Sequence, residues 1–118
     1  MAKSYENLKI WQESIEIAIQ IYSITKKFPK DEIFGIISQI RRAAVSISSN
    51  IAEGSGRNTK KEFSRFVDIS TGSLNEVENL LVISLKLNYI SKKDFDVLAE
   101  KIKRLGILLG GFKKYLNK

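Results

Sequence analysis

Apolar side chains recur along the chain at intervals of three and four residues, the period of an α-helix. Pro29, the glycines Gly54 and Gly56, and a weaker break at Asn88 and Tyr89 interrupt this pattern. The stretches between them predict four helices, over residues 8–28, 31–53, 59–88 and 91–116. Short connections between long helices favour antiparallel neighbours. The pattern therefore predicts one all-α domain over residues 1–118, an antiparallel up-down-up-down four-helix bundle.

Polar residues at the predicted helix ends agree with this division. Asp31 and Glu32 place negative charge at the positive end of the second helix. Thr59, followed three residues later by Glu62, predicts a capping box that starts the third helix. Gly54 is predicted to end the second helix, since glycine enters the left-handed backbone conformation without a steric penalty.

The first predicted helix carries two apolar stripes, with centres roughly 140° apart at the angular step of an α-helix. The first stripe holds Leu8, Trp11, Ile15, Ile19 and Tyr22, and the second holds Ile10, Ile17, Ile21, Ile24 and Phe28. One core covers one such face, and a second apolar face in water usually meets another chain. We therefore expect a homo-oligomer whose subunits meet through Ile10, Ile17, Ile21 and Ile24.

The second predicted helix combines an isoleucine seam with a polar face of short side chains. The residues of this face that we expect at a subunit boundary are Gln39, Arg42, Ser46, Asn50 and Glu53. Short serines permit the close approach of another helix, and Arg42 and Asn50 are suited to hydrogen bonds across the boundary. The alternative is that Arg41 and Arg42 contact phosphates directly.

The composition excludes several kinds of chemistry. Among 118 residues there is neither histidine nor cysteine, which excludes disulfides, the usual zinc sites, thiol nucleophiles and Ser-His-Asp triads. The acidic residues do not form a recognisable catalytic pair, so we expect a protein that is not an enzyme and needs no cofactor. No apolar stretch resembles a signal peptide or a membrane span. The expected location is the cytoplasm, without a membrane partner.

Positive charge points to an anionic partner. The formal net charge is +7, which favours RNA or DNA over other partners. Residues 54–65 hold four basic residues and one acidic residue, and residues 101–118 hold six basic residues and no acidic one. The residues we expect to contact phosphates are Arg41, Arg42, Arg57, Lys60, Lys61 and Arg65. The rival interpretations are that this charge serves solubility alone or meets an acidic protein partner.

The central part of the chain resembles a known family. Residues 38–47 and 49–54, which read SQIRRAAVSI and SNIAEG, look like the characteristic block of the four-helix-bundle family of rRNA intervening-sequence proteins. Further matches are Ile10-Trp11-Gln12, Phe28-Pro29, Gly56-Arg57, Glu62-Phe63, Arg65-Phe66 and Gly72-Ser73-Leu74. The resemblance covers nearly the whole chain.

That family is similar to the accessory variability determinant of diversity-generating retroelements, a basic pentameric barrel that binds nucleic acid and partners a reverse transcriptase. The resemblance therefore implies a pentamer and supports nucleic-acid binding. It also defines the alternative function, a protein-interaction scaffold for an acidic or reverse-transcriptase-like partner that binds no nucleic acid itself.

Overall fold

A computed structural model describes residues 4–118, and these residues form four α-helices and no β-strand. The helices are α1 (Lys9–Thr25), α2 (Ile36–Ser55), α3 (Lys60–Lys86) and α4 (Lys92–Leu116). Short 3-10 turns, Ser4–Asn7 and Lys30–Glu32, precede α1 and α2. Each helix packs against its neighbours in sequence, and α4 returns to pack against α1. The result is an elongated bundle of 43 × 24 × 23 Å.

The helices begin and end where local chemistry allows, which corrects two predicted boundaries. α1 ends at Thr25, because Pro29 disfavours helical backbone in the residue before it. α2 begins at Ile36 and not at residue 31. The chain leaves helical geometry at Gly35 (φ −108°, ψ −119°), and the Glu32 carboxylate accepts a long hydrogen bond of 3.4 Å from the Ile36 N–H. The start of α3 is as expected, since the Thr59 side chain accepts a 3.1 Å hydrogen bond from the Glu62 N–H.

Gly54 does not end α2, contrary to the prediction. The helix continues through Ser55, and no glycine in residues 4–118 has a positive φ. Gly54 is buried where α2 crosses α3. A β-carbon at this position would lie 2.6 Å from Cβ of Phe66 and 2.8 Å from Cδ1 of Phe63. The absence of a side chain therefore allows the two helices to approach each other closely.

The predicted oligomer stripe of α1 is instead part of the bundle core, which corrects that prediction. Ile10, Ile17 and Ile21 are 3%, 1% and 0% exposed within a single chain, so they are unavailable to a second subunit. Ile24 is half-buried and packs against the same core. The physical reason is that α1 contacts both α2 and α4, and these two helices together cover its isoleucine side.

The other apolar stripe of α1 is divided, because Leu8 and Trp11 pack against the core whereas the later part of the stripe faces outward. Ile19 is 65% exposed and Tyr22 is also exposed. The Arg41 guanidinium of α2 lies over the Tyr22 ring, 4.6 Å from its centroid. Val45 lies one helical turn beyond Arg41 on α2, Ile19 lies about one turn before Tyr22 on α1, and both are exposed. Because the two helices run antiparallel, we infer that Val45 and Ile19 lie on the same side of the bundle. We call Ile19, Tyr22 and Val45 the α1–α2 face.

Serine side chains join α2 and α3. The buried Ser70 hydroxyl donates to the Ile47 carbonyl at 2.9 Å, and the Ser46 and Ser73 hydroxyls share a hydrogen bond of 2.9 Å. Each contact needs both backbones close together, which the small side chains permit. The hydroxyl-to-carbonyl bond also satisfies a polar group that would be costly to bury alone.

At the end of the bundle where α3 leads into α4, a tyrosine ties two connections together. The Tyr89 hydroxyl donates to the Glu32 carboxylate at 2.7 Å, and its ring packs against Phe28 with centroids 5.5 Å apart. The hydrogen bond to Glu32 raises the pKa of Tyr89 above its ordinary value, and partial burial and the negative charges of Glu32 and Asp31 raise it further. The phenol is therefore held in its neutral form.

Candidate nucleic-acid interface

The six predicted phosphate contacts lie in two separate places. Arg41 and Arg42 lie in the first half of α2, beside the end of α1. The other four lie beyond the opposite end of α2 and in the first turns of α3. About 20 Å of helix separates Arg42 from the end of α2. The structure therefore brings together Arg57, Lys60, Lys61 and Arg65, and we call these four residues the basic cluster.

Arg41 is used within the chain. Its Nε donates to Thr25 Oγ1 at 2.9 Å, and its Nη2 makes a longer contact of 3.5 Å to the Tyr22 carbonyl. This carbonyl belongs to the last turn of α1, where the helix dipole favours a positive charge. With its guanidinium also over the Tyr22 ring, Arg41 fastens α2 to α1. Arg41 thus has a structural role within the chain, and its predicted phosphate contact stays a prediction.

The polar face of α2 is divided between internal contacts and solvent. Ser46 bonds to α3, and the Asn50 amide donates to the Ser46 carbonyl at 2.8 Å. Gln39 and Arg42 are exposed and line a cavity of about 360 Å³ between α2 and α3. Glu53 is exposed and lies 3.8 Å from the Arg57 guanidinium. Of the predicted boundary residues, Gln39, Arg42 and Glu53 thus remain open to another molecule.

The start of α3 and the end of α4 form one positive surface. Lys60 Nζ lies 5.2 Å from the centroid of the Tyr115 ring, and Lys113 pairs with Asp68 at 2.6 Å. The exposed Lys114 extends the surface along α4. The sequence displays the two basic stretches 54–65 and 101–118 far apart along the chain. The signal was present, because antiparallel α3 and α4 place the start of one helix beside the end of the other.

Most of the basic cluster is open to solvent. All four residues are exposed, and within residues 4–118 no carboxylate forms an ion pair with Lys60, Lys61 or Arg65. Arg57 reaches Glu53 only at 3.8 Å, with both side chains about half exposed. Exposed pairs of this kind contribute little to stability. The positive charges are therefore free to meet an external anion.

A cavity of about 300 Å³ opens within the basic cluster. It is lined by Arg57, Glu62, Arg65, Phe66 and Ile69. The Arg57 guanidinium lies 4.8 Å from the centroid of the Phe66 ring. Phe63, by contrast, turns toward Phe112 of α4, with ring centroids 5.2 Å apart. Of these two phenylalanines, only Phe66 lines the cavity.

Within residues 4–118, no group of three acidic side chains is arranged to hold a metal ion. None of the four helices is both long and apolar enough to span a bilayer.

Comparison with known proteins agrees with this fold. A family model described as 23S rRNA-intervening sequence protein matches residues 6–111. The chain is also similar to a solved structure from Bacteroides thetaiotaomicron, a protein with unknown function from the S23 ribosomal protein family. The two are 24% identical, with 89% of this chain and 98% of that chain covered and a TM-score of 0.82. No curated protein matches. Because the family model covers most of its length, the chain belongs to the 23S rRNA-intervening sequence protein family.

Proposed function

We propose that this protein is a small basic homo-oligomer that binds RNA or DNA mainly through phosphates and catalyses no reaction. The observation that carries the proposal is the basic cluster, which stands exposed at one end of the bundle beside Lys113 and Lys114. Lysine and arginine neutralise phosphates without reading base sequence. Binding of this kind is therefore tolerant of sequence and sensitive to salt.

The backbone at the start of α3 adds to this attraction. The first N–H groups of a helix lack partners within the helix and carry partial positive charge. Thr59 accepts from the Glu62 N–H, whereas Lys60 and Lys61 lie in the first turn with exposed side chains. A phosphate near this turn gains from both the backbone and the side chains.

Assembly would multiply this surface. The α1–α2 face exposes Ile19, Tyr22 and Val45, and exposed Arg42 and Gln39 lie on the same helix. We propose that copies of the chain meet through this region, with the five subunits that the family resemblance implies. Several basic clusters on one particle bind a long polyanion far more tightly than a single cluster does.

Removing the four positive charges of the basic cluster tests nucleic-acid binding. The variant changes Arg57, Lys60, Lys61 and Arg65 to glutamine, and the control changes the exposed, distant Lys26, Lys27, Lys86 and Lys93. Both variants lose the same net charge. Fluorescence anisotropy with an unrelated duplex DNA and RNA, over a range of salt concentrations, measures affinity. Each basic cluster that engages four phosphates contributes about −3.6 to the slope of log affinity against log salt on duplex DNA.

The two variants distinguish an effect of the basic cluster from an effect of total charge. The proposal predicts that the cluster variant loses most of its affinity and most of the salt slope, while the distant variant retains most of both. Equal losses would show that only total charge matters, and no binding of any nucleic acid at low salt would refute the proposal.

Sedimentation of an Ile19→Glu variant, compared with Ile107→Glu on the exposed side of α4, tests assembly through the α1–α2 face. Equal particle mass in both variants would contradict it.

One observation favours the alternative, a scaffold for a protein partner. The Phe34 side chain is 95% exposed and its neighbour Ile33 is 46% exposed, at the end of the bundle away from the basic cluster. Exposed large apolar side chains are typical of interaction sites. For a scaffold that uses this turn, Phe34→Ser abolishes partner capture without changing nucleic-acid affinity. Failure of Phe34→Ser to alter any protein association would remove this alternative.

A further inference from the structure

We propose that the 300 Å³ cavity within the basic cluster holds one unpaired nucleobase and prefers guanine. The inference rests on the proposed function, because it assigns a ligand to the same surface. It goes further in predicting a preference for single strands over duplexes and for one base over the others. Phosphate contacts alone predict neither preference.

The walls of the cavity are suited to a flat aromatic ligand. The Phe66 ring and the Arg57 guanidinium are both planar and lie 4.8 Å apart, measured from guanidinium carbon to ring centroid. Unpaired bases stack on aromatic rings and on arginine planes. Arg57 is exposed and its ion pair with Glu53 is long, so a small shift of its side chain opens space for a base between the two planes. Ile69, half exposed, adds an apolar floor.

The size of the cavity restricts what enters. A volume of about 300 Å³ is at the lower limit of ordinary ligand pockets, which fits one base. In a duplex the bases are stacked and paired inside the helix, so a base must leave the stack before it reaches such a pocket. A single strand presents its bases without that cost.

Glu62 supplies the choice among bases. Glu62 is one of the residues that line the cavity, and an ionised carboxylate accepts hydrogen bonds but donates none. Guanine presents two adjacent donors, N1–H and the N2 amino group, on its Watson–Crick edge. Adenine and cytosine present one amino group beside an acceptor nitrogen, which a carboxylate repels. Because the Glu62 N–H is held by Thr59, the residue that carries the carboxylate is fixed at the rim.

The neighbouring cations are placed for the flanking phosphates. Lys61 and Arg65 are four residues apart on α3 and therefore lie on one side of the helix. Arg65 lines the cavity, and Lys61 lies one turn nearer the start of the helix. A strand that places one base in the cavity thus has a cation within reach of the adjacent backbone.

Short oligonucleotides test the inference directly. The probes are five-nucleotide strands of thymidine whose central base is guanine, adenine or cytosine, and a hairpin duplex of mixed sequence. Anisotropy is measured over a range of salt concentrations, and at any one of them the guanine strand should bind about tenfold more tightly than the other two, the scale of a bidentate contact. The guanine strand should also bind more tightly than a duplex segment with the same number of phosphates.

Three variants separate the contacts. Glu62→Gln should abolish the guanine preference, and it should raise affinity for the adenine and cytosine strands, because it removes a negative charge from the surface. Arg57→Lys keeps the charge and the salt slope but should weaken the guanine strand about fivefold, since lysine has no plane for stacking. Phe66→Leu keeps apolar bulk and should weaken every single strand about fivefold without affecting the duplex. Lys86→Gln serves as the distant control, and circular dichroism checks the folding of each variant.

Each outcome bears on one claim. Salt-dependent binding that is equal for all central bases and unchanged by Glu62→Gln would overturn the base site and leave the proposed function standing. Absence of binding to every probe at low salt would overturn both. Loss of guanine preference in Glu62→Gln, with the salt slope retained in Arg57→Lys, would support the base site.

Discussion

Replacement of Gly54 by alanine places a methyl group where α2 and α3 touch. The new β-carbon would lie 2.6 Å from Cβ of Phe66 and 2.8 Å from Cδ1 of Phe63. The Phe66 Cβ is attached directly to the backbone, so rotation of the side chain does not move it away. The helices must therefore separate at this crossing, and the ring contact between Phe63 and Phe112 changes with them.

Two opposing effects decide how much Gly54→Ala changes the free energy of unfolding. Overpacking a tight contact costs about 1–3 kcal/mol, whereas alanine is favoured over glycine inside a helix by roughly 0.5–1 kcal/mol. The net expectation is a loss of about 1–2 kcal/mol in the free energy of unfolding. With an unfolding entropy of about 2.1 cal/mol/K per residue for 118 residues, this lowers Tm by about 4–8 °C.

Thermal unfolding followed by circular dichroism at 222 nm measures the effect, at equal protein concentration for every variant. Gly72→Ala is the matched control, because Gly72 lies inside α3 and a β-carbon there meets nothing within 4 Å. The control should raise Tm by about 2–4 °C through helix propensity alone. If Gly54→Ala raised Tm as much as Gly72→Ala, close approach of the helices at Gly54 would be disproved.

Three further substitutions test the other structural roles. Ile17→Ala should lower the free energy of unfolding by about 2–5 kcal/mol. A change in sedimenting mass with unchanged stability would instead show that Ile17 lies at a subunit interface. Arg41→Ala should lower Tm by several degrees yet reduce nucleic-acid affinity no more than Lys86→Ala; a larger loss of affinity would place Arg41 at the phosphate site. Tyr89 has a raised pKa in the folded state, so its contribution to stability is complete below the pKa of the unfolded chain and is lost as pH rises through the folded value. Above about pH 10, Tm should therefore fall more steeply in the wild type than in Tyr89→Phe, and parallel curves would contradict this.

The sequence predicts the bundle well because helical periodicity and capping are local. The isoleucine seam of α2 is buried, with Ile40, Ile47 and Ile51 each 0% exposed, and the Thr59 cap is present. Such features depend on residues three or four apart, which one sequence displays directly.

What the sequence does not reveal depends on how the helices surround one another. For α1, periodicity separates two apolar stripes, but which stripe the core covers depends on where α2 and α4 lie. The distance between Arg41 and Arg57 is likewise not evident from the sequence, because it depends on the length of α2. The cavity beside Phe66 needs the crossing of α2 and α3 at Gly54, and no spacing of residues along the chain indicates that crossing.

The serine contacts between α2 and α3 also constrain how this protein can vary through evolution. These contacts require a fixed alignment of the two helices along their axes. Only then do the Ser46 and Ser73 hydroxyls meet, and the Ser70 hydroxyl reach the Ile47 carbonyl. One added or deleted residue between Ile47 and Gly54 would turn everything beyond it by about 100°. Gly54 would then leave the crossing. We therefore expect relatives to tolerate point substitutions in this segment but no insertion or deletion, so that its length stays constant where its composition does not.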